Sequence, residues 1–109
     1  MSATQIGELT RRVVIEAIVR TPDGAGGATE AWVAVATVFA SVKALGGSES
    51  VAFDRQTGRA THEIVIRHRA DVKPAMRFRM GTRIFEILDA LDQDGRRRHL
   101  RCLVEERDL

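Results

Sequence analysis

The stretch "MRFRMGTRIFEILDALDQDGRRRHLRCLVEE", residues 76–106, decides the fold. It contains three apolar-rich segments, separated by a Gly81–Thr82 turn and an Asp94–Gly95 turn. Dipeptides of this kind join neighbouring antiparallel strands. Apolar side chains recur with a period of two, as in the first segment, where Phe78 lies between two arginines. The pattern predicts a three-stranded antiparallel meander.

The sequence before this stretch has the same character. Residues 11–20 are rich in β-branched side chains, and residues 59–69 alternate from one strand face to the other. Residues 21–29 concentrate proline, aspartate and glycine, which predicts a hairpin loop. Residues 29–45 are either one long strand with both faces partly covered, or two strands joined by a bend near Ala36.

These segments together predict an all-β fold, either a small antiparallel β-barrel or a sandwich of about six to seven strands. A chain of 109 residues can bury one modest core, so we expect a single domain spanning residues 1–109. Residues 1–8 would form an N-terminal arm, and residues 46–58 one long projecting loop, with a short helical turn as an option after Ser48. The residues expected to anchor the core are Trp32, Ile64, Ile66, Phe78, Leu100 and Cys102.

The composition is that of a folded domain, because 44% of the residues are hydrophobic and 29% are charged. The formal net charge is +2, and most of the positive charge lies on arginine, whose guanidinium group suits carboxylate and phosphate partners alike. No apolar run approaches the roughly 18–20 residues of a membrane span, and the polar start lacks the apolar core of a signal peptide. We therefore expect an intracellular protein with no membrane partner.

Motifs for catalysis, nucleotides and metals are incomplete. The glycines of residues 24–29 precede a strand instead of a helix, and Thr29 stands where a dinucleotide fingerprint needs its third glycine. Residues 92–95 are similar to the middle of a calcium-binding loop, but the ligand residues required at its two ends are absent. His62 and His68 share a predicted strand face but lie roughly 20 Å apart along it. We expect no enzyme, no metal site and no cofactor.

Three consecutive arginines, Arg96, Arg97 and Arg98, follow the last turn and suggest nucleic-acid binding. An autonomous β-barrel nucleic-acid-binding protein would contact phosphates with these side chains. Proteins that bind single strands also stack bases on several exposed aromatic rings, whereas this chain has 5% aromatic residues and no tyrosine. Nucleic-acid binding by the isolated chain therefore stands as the alternative function.

Four segments in order carry a family resemblance: "IGELTRRVVIE", "RTPDGAGGATEAWVAVATVFASV", "ATHEIVIRHRADVKPAMRF" and "RIFEILDALDQDGRRRHLRCLVEE". From Ile6 to Glu106 the chain resembles the phage head-tail joining family, the small head-closure or stopper proteins of tailed bacteriophages and phage-like particles. Residues 46–58 are the part that least resembles the family.

The resemblance implies a structural role without catalysis or a cofactor. Family members form a ring, here of six or twelve copies, below the portal or its adaptor ring and above the tail terminator or tail proteins. The ring retains packaged double-stranded DNA and provides the platform on which the tail docks. The implied location is the virion neck at the head-tail interface, after assembly in the bacterial host cytoplasm. The implied fold is a small β-barrel or sandwich with long loops.

Two sets of residues are candidates for that role. The candidate channel or gating loop contains Ser48, Glu49, Val51, Phe53, Asp54 and Arg55. The candidate inter-subunit or docking contacts are Arg67, Arg69, Arg77, Arg79, Arg96, Arg97, Arg98, Glu105 and Glu106. Whether the last three arginines face acidic side chains of a neighbouring subunit or face the channel stays open at this point, and we favour the neighbour.

Overall fold

The computed structural model describes residues 9–45, 59–92 and 95–107, which form six antiparallel strands. The strands are β1 (Arg11–Pro22), β2 (Ala28–Ala44), β3 (His62–Arg67), β4 (Arg77–Met80), β5 (Arg83–Asp92) and β6 (His99–Arg107). They close into a barrel in the order β1-β2-β3-β6-β5-β4. The predicted all-β fold and its terminal meander β4-β5-β6 are confirmed, and of the two predicted architectures, barrel and sandwich, the chain forms the barrel. The predicted N-terminal arm and the predicted loop 46–58 lie outside the described residues.

The segment that could have been one strand or two is the single 17-residue strand β2. The bend expected near Ala36 is a β-bulge. Ile15 of β1 pairs with Ala36, but the next residue, Glu16, pairs with Ala34, so Val35 is the extra residue of the ladder. A bulge increases the local twist without ending the strand, and β2 therefore continues past the barrel.

The β1–β2 hairpin loop is organised by Asp23. Its Oδ1 atom accepts hydrogen bonds from the amides of Ala25 at 2.8 Å and Gly27 at 3.1 Å. The backbone reverses through left-handed conformations at Gly24 and Gly26, with φ of 80° and 88°, which glycine adopts without a steric penalty. The predicted turn around an aspartate and glycines is thus present, and it joins strands that remain paired up to Pro22 and Ala28.

One hydrophobic core fills the barrel and receives side chains from all six described strands. Its members are Val13, Ile15, Ala40, Ile64, Ile66, Val72, Met76, Phe78, Phe85, Ile87, Leu100, Cys102 and Val104. Val72 and Met76 come from the connection between β3 and β4 and cover one end of the barrel. Five of the six expected anchors are in this cluster. No helix in the described parts of the chain is long and apolar enough to cross a membrane.

The sixth expected anchor, Trp32, is not in the core, and that prediction is wrong. Its side chain is 37% exposed, opposite Ile18 of β1, and the Arg77 guanidinium lies 4.1 Å from the centre of its ring. The alternation of β2 continues beyond the end of the barrel, where alternate side chains have no core to enter. Trp32 therefore packs on the outer surface.

The distal part of the β1–β2 hairpin extends beyond the barrel. β1 pairs with β4 only from Val14 to Glu16, and β2 pairs with β3 only from Ala40 to Ala44. Every residue from 18 to 35 is exposed, and the molecule measures 52 × 27 × 27 Å. We call residues 18–35 the hairpin extension. β2 runs from the extension into the barrel and first pairs with β3 where Ala40 meets Ile66, next to Arg67. The extension therefore leaves the barrel at the Arg67 end of β3.

Truncating a side chain in the core should lower the free energy of unfolding much more than truncating one in the hairpin extension. Phe78→Ala should lower the free energy of unfolding by about 3–5 kcal/mol, because it leaves a cavity in a fully buried site. Trp32→Ala should lower it by about 1 kcal/mol or less, since it removes a half-exposed ring and one cation–π contact. Urea unfolding of the two variants measures both values. Equal losses would contradict the assignment of Trp32 to the surface.

Candidate assembly surfaces

A basic rim lies at the end of the barrel from which the hairpin extension leaves. It consists of Arg67, Arg69, Arg96, Arg97 and Arg98. The two contributing segments meet where the amide of His68 donates to the carbonyl of Arg98 at 3.1 Å, and Arg67 pairs with His99 across β3 and β6. The structure therefore brings five of the nine candidate contact residues together. Arg69 is partly neutralised there, because its guanidinium donates two hydrogen bonds to Asp71, at 3.0 and 2.9 Å.

The turn that presents the three consecutive arginines is built by Asp92. Its carboxylate accepts hydrogen bonds from the amide of Gly95 at 3.1 Å and from the amide of Arg97 at 3.0 Å. Gly95 and Arg97 both have positive φ, 74° and 58°. A left-handed arginine is uncommon, and here the aspartate side chain holds it. Arg96, Arg97 and Arg98 are all exposed at this turn; Asp94, the other half of the expected turn, lies outside the described residues.

Glu105 and Glu106 lie at the opposite end of β6 and form ion pairs within the chain. Arg83 donates to both carboxylate oxygens of Glu106, from Nε at 2.7 Å and from Nη2 at 3.0 Å. This hydrogen bonding lowers the pKa of Glu106. Glu105 is approached by Arg107 at 3.2 Å and by Arg59 at 3.7 Å. The two glutamates are thus separated from the basic rim and already hold cations of their own chain.

Arg77 and Arg79 are also engaged within the chain. Their Nε atoms donate to the two carboxylate oxygens of Glu16, at 2.7 Å from Arg77 and 3.0 Å from Arg79. Glu16 is only 6% exposed. Burial alone would raise its pKa, but the hydrogen bonds and positive charges of the two arginines outweigh burial and lower it. These arginines stabilise the β1–β4 junction, and their predicted docking role stays a prediction.

Comparisons with known proteins identify the family of this chain. A family model described as "Phage head completion protein" matches residues 4–107, nearly the whole chain. The chain belongs to this family. The expected relation to head-closure proteins is confirmed, and the family is one of structural head proteins and not of enzymes.

Two of the solved structures that resemble this head completion protein cover nearly the whole chain. Protein SF1141 from Shigella flexneri 2a, determined in solution, is 28% identical, with 94% of this chain and 96% of that chain covered and a TM-score of 0.80. A chain in the virion of a native gene transfer agent particle is 35% identical, with 91% of this chain and 96% of that chain covered and a TM-score of 0.67. No curated protein matches the chain.

Two buried carboxylates of this head completion protein were missed by sequence reasoning. Glu16 and Glu63 are 6% and 7% exposed, and Glu63 accepts a hydrogen bond from Nε of Arg101 on the neighbouring strand β6. The available signal was a glutamate inside an otherwise apolar strand segment, as in "VVIEAIV". That signal does not name the partner, because the arginines that pair with Glu16 lie more than 60 positions away in the sequence.

The described cavity beside the basic rim holds no carboxylate, hydroxyl or thiol side chain. The cavity has a volume of about 420 Å³ and is lined by Leu9, Val38, Phe39, Arg67, His68 and Arg69. Burial raises the pKa of the Cys102 thiol to about 12, so this group stays protonated and unreactive at neutral pH. No group of three His, Cys, Asp or Glu side chains that could hold a metal ion occurs within the described ranges.

The Glu16 carboxylate should make the free energy of unfolding decrease as the pH is lowered. Because its pKa in the folded chain lies below the ordinary value of 4.5, its contribution is complete above about pH 4.5 and disappears as the pH falls through the lowered pKa. Glu16→Gln should cost about 1–3 kcal/mol at pH 7, and progressively less as the pH falls below about 4.5 and through the lowered pKa. Thermal unfolding of both chains from pH 7 to pH 3 measures the difference.

The matched control for this titration is Glu30→Gln, which changes an exposed glutamate of the hairpin extension. It should leave the free energy of unfolding within about 0.5 kcal/mol of the wild-type value at either pH. A gap between Glu16→Gln and the wild type that does not narrow on acidification would rule out Glu16 as the titrating group.

Proposed function

We propose that this chain is the stopper of a phage-type neck. Several copies form a ring, of six or twelve, around the DNA channel between the portal or adaptor ring and the tail. The ring retains packaged double-stranded DNA and forms the platform on which tail proteins dock. The observation that carries the proposal is the match to the head completion family over residues 4–107. The similarity to a chain of a gene transfer agent virion supports placing it in an assembled particle.

The distribution of charge supports a scaffold that contacts proteins on more than one side. A cyclic ring joins two different surfaces of each subunit. The two ends of this barrel differ, because one carries the exposed basic rim and the other carries glutamates that are paired with arginines of the same chain. The basic rim lies at the end with the hairpin extension, where contacts to a neighbouring ring or subunit would not disturb the core. We assign Arg96, Arg97 and Arg98 to contacts with acidic side chains of a neighbour, because these residues are exposed at a turn where Asp92 accepts a hydrogen bond from the amide of Arg97.

Closure of the channel is assigned to residues 46–58, which lie outside the described residues. The candidate gating side chains are Ser48, Glu49, Val51, Phe53, Asp54 and Arg55. The described barrel supports this assignment, since β2 and β3 are paired up to Ala44 and His62, and the amide of Leu45 still donates to the carbonyl of Thr61 at 3.0 Å. The segment between them therefore starts and ends at neighbouring positions on the rim opposite the hairpin extension.

Deleting Ser48 to Gln56 tests the gating assignment. The barrel should fold, because the six strands and the β3–β4 connection supply the core cluster of the described residues, and the variant should be incorporated into particles. Those particles should lose packaged DNA or fail to join tails, measured as nuclease-sensitive DNA and as tailed particles counted by electron microscopy. Complementation with the wild-type chain is the control. Normal DNA retention and normal infectivity or transfer by particles that carry the deletion would end the gating assignment.

A second candidate function, autonomous nucleic-acid binding, is favoured by one observation, the exposed basic rim. The two functions differ in what the isolated chain does. A nucleic-acid-binding protein would bind duplex DNA as a monomer, with an affinity that falls steeply as salt increases. A stopper subunit needs no such affinity before assembly.

Replacing Arg96, Arg97 and Arg98 by Ser distinguishes these functions. For a stopper, the variant should reduce tailed particles at least tenfold while changing the free energy of unfolding by no more than about 0.5 kcal/mol, because exposed side chains contribute little to stability. Arg59→Ser, an exposed arginine at the other end of the barrel, is the control. DNA binding by the wild-type monomer that is lost in the triple variant, with normal tail joining, would favour the second function.

A further inference from the structure

The hairpin extension has unpaired strand edges. Beyond Glu16, β1 pairs with no described strand other than β2, and before Ala40 the same holds for β2. The outer edges of residues 17–22 and of residues 28–39 therefore present backbone amides and carbonyls to solvent. Such edges are templates for pairing with another chain, and proteins that stay monomeric usually protect them.

The edge of β2 carries little protection. Residues 28–39, "ATEAWVAVATVF", contain neither lysine nor proline and only one charged residue, Glu30. Large apolar side chains on this strand remain in solvent, with Val33 42%, Val35 41% and Phe39 53% exposed. A two-stranded ribbon is marginal on its own in water. The extension thus combines unpaired backbone groups with exposed apolar side chains. Both features are typical of a strand that pairs with another strand on assembly.

The charges of the extension select which edges can meet. Arg20 is the only charged residue of residues 17–22, and Glu30 is the only one of residues 28–39. Within one chain they form an exposed ion pair, with Arg20 Nε 2.8 Å from Glu30 Oε2. Contact between two β1 edges would place arginine beside arginine, and contact between two β2 edges would place glutamate beside glutamate. Only a contact of β2 with the β1 of another copy brings opposite charges together.

We propose that the hairpin extensions of successive copies pair edge to edge, β2 of one copy with β1 of the next, as a continuous antiparallel sheet around the ring. The inference rests on the proposed ring and names the surface that joins its subunits. Rotation about the ring axis repeats the order β1, β2, β1, β2, so neighbouring strands stay antiparallel at each contact. Because the two edges differ, the contact is heterologous, as a closed ring requires.

Directional thiol cross-linking in particles tests this proposal. Thr21 and Thr29 are exposed partners on β1 and β2 near the tip of the extension. Thr21→Cys and Thr29→Cys are made in separate copies of the full chain and are either expressed alone or expressed together. Purified particles are oxidised to form disulfides, which can join cysteines on adjacent strands but not cysteines two strands apart, and are analysed by non-reducing denaturing electrophoresis. The wild-type chain, whose Cys102 is buried, is the control for background cross-linking.

The proposal predicts cross-linked dimers in particles that contain both variants, at least tenfold above each variant alone. The lone variants place cysteines only on β1 or only on β2, so they should give no more dimer than the wild type. Dimers with one variant alone would mean that β1 pairs with β1, or β2 with β2, of the next copy, and the proposed pairing would be overturned. The same holds if mixed particles carry both variants at the wild-type copy number and give no dimer, as expected if the extension packs on a neighbouring barrel or on a tail protein.

A separate readout distinguishes this inference from the proposed function. The amount of wild-type chain in purified particles shows whether the protein is a neck component at all. Absence from particles would defeat the stopper assignment and the edge pairing together. Presence at ring stoichiometry without mixed cross-links would leave the stopper assignment intact and defeat only the edge pairing.

Discussion

Closure of the barrel depends on a very short contact between β1 and β4. Only three residue pairs join them, from Val14 with Arg79 to Glu16 with Arg77. A seam this short has few backbone hydrogen bonds, and the buried carboxylate of Glu16 adds two charged hydrogen bonds across it. Charge-assisted bonds to both oxygens are stronger than neutral ones and fix the register of the strands. The other strands can enclose one core because this contact closes the sheet.

Folding and the proposed assembly contacts use different residues in this chain. The core cluster comes from the barrel strands and from the connection that covers one end, and it contains no residue between 18 and 35. The basic rim and the hairpin extension lie outside that core at the same end. The proposed assembly contacts therefore do not compete with the contacts that form the core.

Most of the fold could be predicted from the sequence, because apolar alternation reports directly on which strand face is buried. Ile64 and Ile66, and likewise Leu100 and Cys102, are in the core for that reason. The same rule failed at Trp32, since alternation indicates the face of a strand but not the point along it where the barrel ends. The pairing of Glu16 was also beyond sequence reasoning, because it depends on a register between strands that are distant in the chain.

The sequence predicts that the candidate surfaces are rich in arginine, but it does not predict which arginines are exposed. Counting arginines identifies a basic chain, but Arg77 and Arg79 are held by a carboxylate of their own barrel, whereas Arg97 is exposed on a turn that Asp92 fixes. The difference arises from tertiary neighbours. The family match identifies a head completion protein, and the structure shows which of the candidate arginines are exposed and which are held by carboxylates of the same chain.

The exposure of residues 18–35 has a consequence for how such proteins diversify. A substitution there does not open a cavity in the core, so folding places little restriction on the sequence of the extension. If this segment joins neighbouring subunits, its edges can change together from one phage lineage to another while the barrel stays the same. Two related prophages in one bacterial cell would then be able to build separate necks from the same fold, because each subunit would recognise copies of its own kind.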